Sequence, residues 1–167
     1  GEALLASGAI KWGLSYTWEE RMHLSLRFQR YQRDHYEEAG YSHAFMPVVQ
    51  GHNPEDYDLF IEWMREDGLD QYHHIGVGTV CKRSSRDEIL EVARKIRSAF
   101  PNKHIHLFGA SLVIYKDSRF RGLFDSSDTA AWNWGASNMQ EVIEKLVAYQ
   151  EKVESYRARL GNGQTTF

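Results

Sequence analysis

Short apolar runs that stop at glycine or a polar residue recur along this chain, with stretches of helical periodicity between them. This alternation restricts the fold more than any other feature. Three runs are Phe45-Met-Pro-Val-Val-Gln-Gly51, Ile75-Gly-Val-Gly-Thr-Val80 and His104-Ile-His-Leu-Phe-Gly109. Each has the length of a strand, and parallel strands built this way deliver functional groups to a common rim. About a dozen irregular, basic residues follow the third run, and then comes Leu123-Phe-Asp-Ser-Ser-Asp-Thr-Ala-Ala-Trp132, an acidic segment read as a fourth short strand and turn.

The intervening segments carry helix signals. Thr17 and Glu20 form a capping-box pattern ahead of a long amphipathic helix from Trp18 to Ala39, with Met22, Leu24, Leu26, Phe28, Tyr31 and Tyr36 as its apolar positions and Gly40 as its stop. Pro54 opens a helix with Tyr57, Phe60, Ile61 and Met64 on one side, closed by Gly68. A third helix runs from about Ser85 to Phe100, with Ile89, Val92, Ile96 and Ala99 on one face, and a fourth from about Asn138 to Leu160. Residues 1–160 are expected to form one α/β domain, and 161–167 a flexible tail.

Strands alternating with helices at roughly thirty-residue spacing call for a parallel sheet with helices outside. A doubly wound open sheet normally carries a glycine-rich phosphate loop, and neither GxGxxG nor GxxxxGK[ST] occurs here. A barrel is therefore favoured. A complete (β/α)8 barrel needs eight units and about 250 residues, whereas this chain has 167. The expected fold is half of a TIM barrel, with parallel strands and outer helices. Such a half standing alone would expose two sheet edges, so another half is expected in the same or another chain.

Composition narrows the function classes. Hydrophobic residues make up 42% of the chain, enough to bury a core. The net charge of −3 sets no global demand for nucleic acid; Lys82, Arg83, Arg86, Arg119 and Arg121 gather near the proposed rim, where a solvated charged surface is the default reading and a local basic lip the alternative. Cys81 is the single cysteine, which excludes an intrachain disulfide and a four-cysteine zinc site, and suits a reducing cytoplasm. No run of about twenty apolar residues suggests a membrane span. His104 and His106 share a strand face and His73-His74 precede another strand, but no carboxylate or cysteine stands at ligand spacing, so no metal is expected.

Taken singly, these motifs have ordinary readings. Asp-Ser-Ser-Asp commonly caps a helix, Gln-Gly commonly turns a chain, paired glycines permit close packing, and Phe108 is by default core. Their coincidence at consecutive strand ends singles them out. Asp125 either caps the turn, the favoured reading, or raises the pKa of Asp128 by approach.

In order and spacing these motifs resemble the C-terminal half of the tRNA-guanine transglycosylase superfamily, most closely its branch that inserts 7-deazaguanines into DNA. Met46-Pro-Val-Val-Gln-Gly51 is similar to the family's Gly-Ile-Val-Gln-Gly-Gly, which implies that Gln50, beside Gly51, hydrogen-bonds the base. Ile75-Gly-Val-Gly-Thr-Val80 resembles Ile-Gly-Gly-Leu-Ala-Val, placing Gly76 and Val77 under the base with Gly78 and Thr79 beside them. His106-Leu-Phe-Gly109 resembles Tyr-Leu-Met-Gly, which puts Phe108 on the base face and Gly109 at the end of the binding set. Phe124-Asp-Ser-Ser-Asp128 aligns with Asp-Met-Phe-Asp-Cys, and the resemblance makes Asp128 the covalent nucleophile.

The resemblance implies an enzyme of the glycosyltransferase class that exchanges guanine in nucleic acid for a 7-deazaguanine such as preQ0 through an aspartate–sugar intermediate. The family's cysteine-rich zinc motif is absent, so no cofactor is expected, and Ala130-Ala-Trp-Asn-Trp134 replaces the arginine-bearing loop of the tRNA enzymes. DNA is accordingly favoured over tRNA. The family's general base comes from its first half, outside these residues. Lys82 is a secondary candidate for phosphate contact, and Phe108 and Trp132 for stacking on a flipped base. The alternatives are a tRNA-directed relative and a non-catalytic half-barrel that binds nucleic acid or a partner subunit.

Overall fold

The computed structural model describes residues 16–41, 44–80, 85–110, 112–129 and 136–160. They fall into two compact units, one up to Thr79 and the other from Val80. Both are α/β, and each contains a parallel strand pair.

The first unit begins with helix α1, Trp18–Glu38. Thr17 Oγ1 accepts the Glu20 N–H at 3.2 Å and Glu20 returns a bond to the Thr17 N–H at 2.7 Å, so both halves of the capping box form. Strand β1, Val48–Val49, follows, then helix α2, Pro54–Glu66, and strand β2, His74–Val77. Asn53 caps α2, with Pro54 in its first turn. The α2 face expected to be buried is buried, since Tyr57, Phe60, Ile61 and Met64 are each at most 3% exposed. Gly68 leaves α2 in the left-handed region at φ +67°, which glycine enters without a Cβ penalty.

Two expectations need correction here. The strand drawn from Phe45 to Val49 shrinks to two residues, because only Val48 and Val49 pair with β2, opposite Gly76 and Val77. The helix face also differs: α1 buries Met22, Ser25, Leu26 and Gln29, while Phe28 is 53% and Tyr31 70% exposed. The reason is tertiary. Pro47 and Val49 give their carbonyls to β2, so the N–H and C=O of Val48 point away from it. Gln29 meets both, accepting from Val48 N at 2.6 Å and donating to Val48 O at 2.9 Å. One glutamine amide thus occupies the outer edge of β1 at Val48, which was expected to lie bare.

The second unit contains helix α3, Arg86–Ala99, strand β3, His104–Leu107, strand β4, Ser126–Ser127, and helix α4, Met139–Leu160. Ser85 caps α3, which buries Ile89, Leu90, Val92, Ala93 and Ile96. The irregular basic stretch forms two 3₁₀ turns, Leu112–Lys116 and Ser118–Phe120. β3 and β4 pair in parallel, His106 opposite Ser126 and Leu107 opposite Ser127. Ile105 and Leu107 are fully buried, whereas His104 and His106 share the opposite, half-buried face. Among the described residues no helix is long and apolar enough to cross a membrane.

Candidate functional site

In the first unit the predicted base-binding residues cluster at the ends of β1 and β2. Gln50 is 9% exposed, and Gly51, Gly76, Val77 and Gly78 are buried beside it. Gly51 has no room for a side chain, since an added Cβ would lie 2.7 Å from the Tyr57 ring. A Cβ on Gly78 would lie 3.1 Å from Gln50 Cγ. These glycines therefore allow a glutamine, a tyrosine and two strand ends to meet at close range.

Thr79 holds this cluster together in an unusual backbone state. Its φ is +62°, and positive φ is a genuine outlier for a β-branched residue. The conformation costs on the order of 1–3 kcal/mol and persists only where neighbours enforce it. Here they are hydrogen bonds: the Thr79 hydroxyl lies 2.8 Å from Gly51 O, 2.7 Å from Gly78 O and 2.6 Å from the Tyr57 hydroxyl, which itself donates to Gly78 O at 2.8 Å. With two protons for two carbonyls, Tyr57 and Thr79 satisfy both acceptors. Sequence reading placed Tyr57 only in the core and missed this second role.

In the second unit the acidic segment carries two aspartates with different environments. Asp125 Oδ2 accepts from Arg97 of α3 at 2.6 Å and from the Ile105 N–H at 2.8 Å. It thereby ties β3 to α3. The pair is partly solvated, at 20% and 39% side-chain exposure, so its stabilisation is modest. Asp125→Asn is expected to cost about 1 kcal/mol in denaturant unfolding while leaving any chemistry at Asp128 in place.

Asp128 stands at the far end of β4. Its backbone N–H bonds Leu107 O at 3.3 Å, and its Oδ1 accepts the Gly109 N–H at 2.6 Å. The side chain is nevertheless 56% exposed. A carboxylate held from behind by a backbone donor and open to solvent in front is placed to act on a ligand. Gly109, at φ +67°, makes the turn that aims its N–H. Phe108 is half-buried and packs edge-on against His106, with ring centroids 4.7 Å apart.

His106 joins this group. Its Nε2 lies 3.7 Å from Asp128 Oδ1, and its Nδ1 lies 2.8 Å from the Ser126 hydroxyl, which is also 2.8 Å from His104 Nε2. Burial pushes the His106 pKa below the ordinary histidine value, outweighing the opposing pull of Asp128, and His104 adds to the lowering. The neutral ring is thus the favoured form. β4's other hydroxyl, Ser127, pairs with Tyr115 at 2.5 Å, so both buried serines are satisfied.

The basic residues near the proposed rim are met by acidic partners. Arg119 binds Asp117 at 2.6 Å and Asp87 at 2.9 Å, holding the Asp117 carboxyl down at about 2. Arg86 also reaches Asp117, at 3.9 Å. These carboxylates neutralise much of the local charge. Among the described residues no group of three or more histidines, cysteines or carboxylates could hold a metal ion. Cys81, Lys82, Arg83 and Trp132 lie outside the described residues.

No curated protein and no solved structure matches the chain. The family described as DpdA, deoxypurine in DNA protein A, matches residues 8–143. That span takes in both units' candidate residues, from Gln50 to Asp128, and the chain belongs to the DpdA family.

Proposed function

We propose that this chain carries the base-recognition and nucleophile-bearing part of a transglycosylase that exchanges guanine in DNA for a 7-deazaguanine such as preQ0. The observation that carries the reading is the solvent-facing Asp128 carboxylate oriented by the Gly109 N–H. The family's description, which names deoxypurines in DNA, supports DNA as the substrate.

Cleaving an N-glycosidic bond develops positive charge on the sugar, and a nearby carboxylate both stabilises that charge and captures it. In the proposed first half-reaction Asp128 forms a bond to C1′ as the C1′–N9 bond breaks. Guanine departs with the electron pair and takes up a proton. In the second, the incoming 7-deazaguanine loses its N9 proton and attacks C1′, releasing the carboxylate. Gln50 and the backbone of Gly51, Gly76, Val77, Gly78 and Thr79 are assigned to the base edge, and Phe108 with Gly109 to its face. The target nucleotide must leave the duplex stack, at a cost of a few kcal/mol that stacking partly offsets.

The test is a denaturing-gel assay for a covalent protein–nucleic acid adduct, run on the full-length protein with duplex DNA and tRNA side by side. An Asp128-dependent adduct on DNA is the expected result. An adduct on tRNA alone would transfer the assignment to a tRNA-directed enzyme. No adduct on either, from folded protein, would favour a binding role.

A further inference from the structure

We infer that His106 is a positioning residue for Asp128, presenting a neutral imidazole N–H to the nucleophile through an oriented chain that begins at His104. This rests on Asp128 being the nucleophile. It goes further in giving the nucleophile's state a titratable partner.

The number of protons available along the chain fixes its direction. Ser126 Oγ has a single proton and lies 2.8 Å from both His104 Nε2 and His106 Nδ1. At most one of the two histidines can accept that proton, whereas either or both can donate to the oxygen's lone pairs. If His106 donated, its bare Nε2 lone pair would face the Asp128 carboxylate at 3.7 Å, two acceptors in opposition. The favourable order is the other one. His104 Nε2–H donates to Ser126, Ser126 donates to His106 Nδ1, and His106 Nε2–H points at Asp128. A histidine's tautomer is set by the bond its other nitrogen makes, and here that bond is to Ser126.

The strand geometry makes this arrangement specific. His104 and His106 share one face of β3 because side chains alternate, and the parallel register puts Ser126 opposite His106. Phe108, edge-on at 4.7 Å, packs beside the ring. The titratable groups acting on His106 among the described residues are Asp128 and His104. Asp128 is then bonded by the Gly109 N–H at 2.6 Å and faced by the imidazole at 3.7 Å, which is an electrostatic contact longer than a hydrogen bond. The second steadies the carboxylate without binding it tightly, leaving it nucleophilic.

The histidine also adds a property that the resembled motif lacks. His106 stands where Tyr-Leu-Met-Gly carries tyrosine, whose hydroxyl does not titrate below about pH 10. Protonation of His106 places an imidazolium beside Asp128, converting a weak orienting contact into an ion pair that draws charge away from the attacking oxygen. Because the folded protein disfavours the protonated ring, the neutral, competent form prevails at and above the ordinary histidine pKa. Adduct formation declines as acidification charges the ring.

The experiment measures the rate of covalent adduct formation by the full-length protein on a labelled random-sequence DNA duplex, from about pH 5 to pH 9, for wild type, His106→Phe, His106→Tyr, Ser126→Ala and Asp128→Asn. DNA affinity and the thermal melt are recorded for each. His106→Phe is expected to slow the adduct step about 10–100-fold, the scale of a small misplacement of a reacting group, with DNA affinity unchanged. His106→Tyr is expected to restore most of the rate and to lose the acid-side decline. Ser126→Ala keeps the imidazole but frees its tautomer, and is expected to fall between. A purely packing role would give a rate that follows ring volume, with Phe and Tyr alike, and an unaltered pH profile; that result, or a wild-type rate and profile in His106→Phe, overturns the inference. If His106→Phe does not fold, the Tyr and Ala variants decide by the same criteria. Adduct formation by Asp128→Asn would instead remove the underlying reading, whatever the histidine variants do.

Discussion

Asp128→Asn is expected to lower covalent adduct formation on DNA by at least about a thousandfold, the scale seen when an enzyme loses its nucleophile, while the protein remains folded. The structure separates the two effects. The amide is nearly isosteric with the carboxylate, and its oxygen can still accept the Gly109 N–H that the carboxylate accepts at 2.6 Å. The backbone bond from Asp128 N to Leu107 O is untouched. The side chain is 56% exposed, so no buried charge is created or removed. Stability should therefore stay within about 0.5 kcal/mol of wild type, as for most surface changes. What disappears is the negative charge that captures the sugar. Denaturing gels read the adduct and chemical denaturation reads the fold; a variant that melts early, or one that still forms the adduct, would count against the assignment. Asp125→Asn is the matched control, since its carboxylate is engaged with Arg97 and the Ile105 N–H.

The second large effect is expected at Tyr57. Tyr57→Ala should destabilise the protein by about 3–5 kcal/mol, the range for truncating a buried aromatic residue, because the ring is fully buried and fills the space that Gly51 leaves for it. Against a typical total of about 5–15 kcal/mol, that is a large share. Tyr57→Phe isolates the hydroxyl. Without it, two carbonyls, Gly51 O and Gly78 O, compete for the single proton of Thr79, and the expected cost is about 1–2 kcal/mol. The loss should spread to function, because the same hydroxyl helps to hold Thr79 at its positive φ beside Gln50. Urea unfolding of the two variants provides the comparison, and equal stabilities for Tyr57→Phe and wild type would refute the proposed knot.

The helices were legible because their signals are local. A capping box at Thr17 and Glu20, Asn53 before Pro54, and Ser85 before an apolar face each act over one turn, so the chain begins each helix where its own neighbours supply the donors and acceptors. The strands were legible in number and order but not in extent. Phe45, Met46 and Pro47 have strand-like character, yet pairing is a property of two segments, and the β-ladder engages only Val48 and Val49. The candidate site divides in the same way. Asp128 was singled out by the family resemblance, but its bond to Gly109 required β3 and β4 in register. His106 was noticed only as one of two histidines on a strand face, because nothing in the sequence shows that Ser126 lies between them.

By itself the sequence determined the α/β alternation, the helix boundaries and the buried face of α2. These follow from periodicity, capping and residue chemistry, which operate over a few residues. Only the tertiary structure decided that Gln29 serves the edge of β1, that Thr79 is held at positive φ by Tyr57, that Asp125 belongs to Arg97, and that His106 faces Asp128. Each of these joins groups from different elements, where strand register and close packing, rather than local preference, determine which polar atom finds which partner.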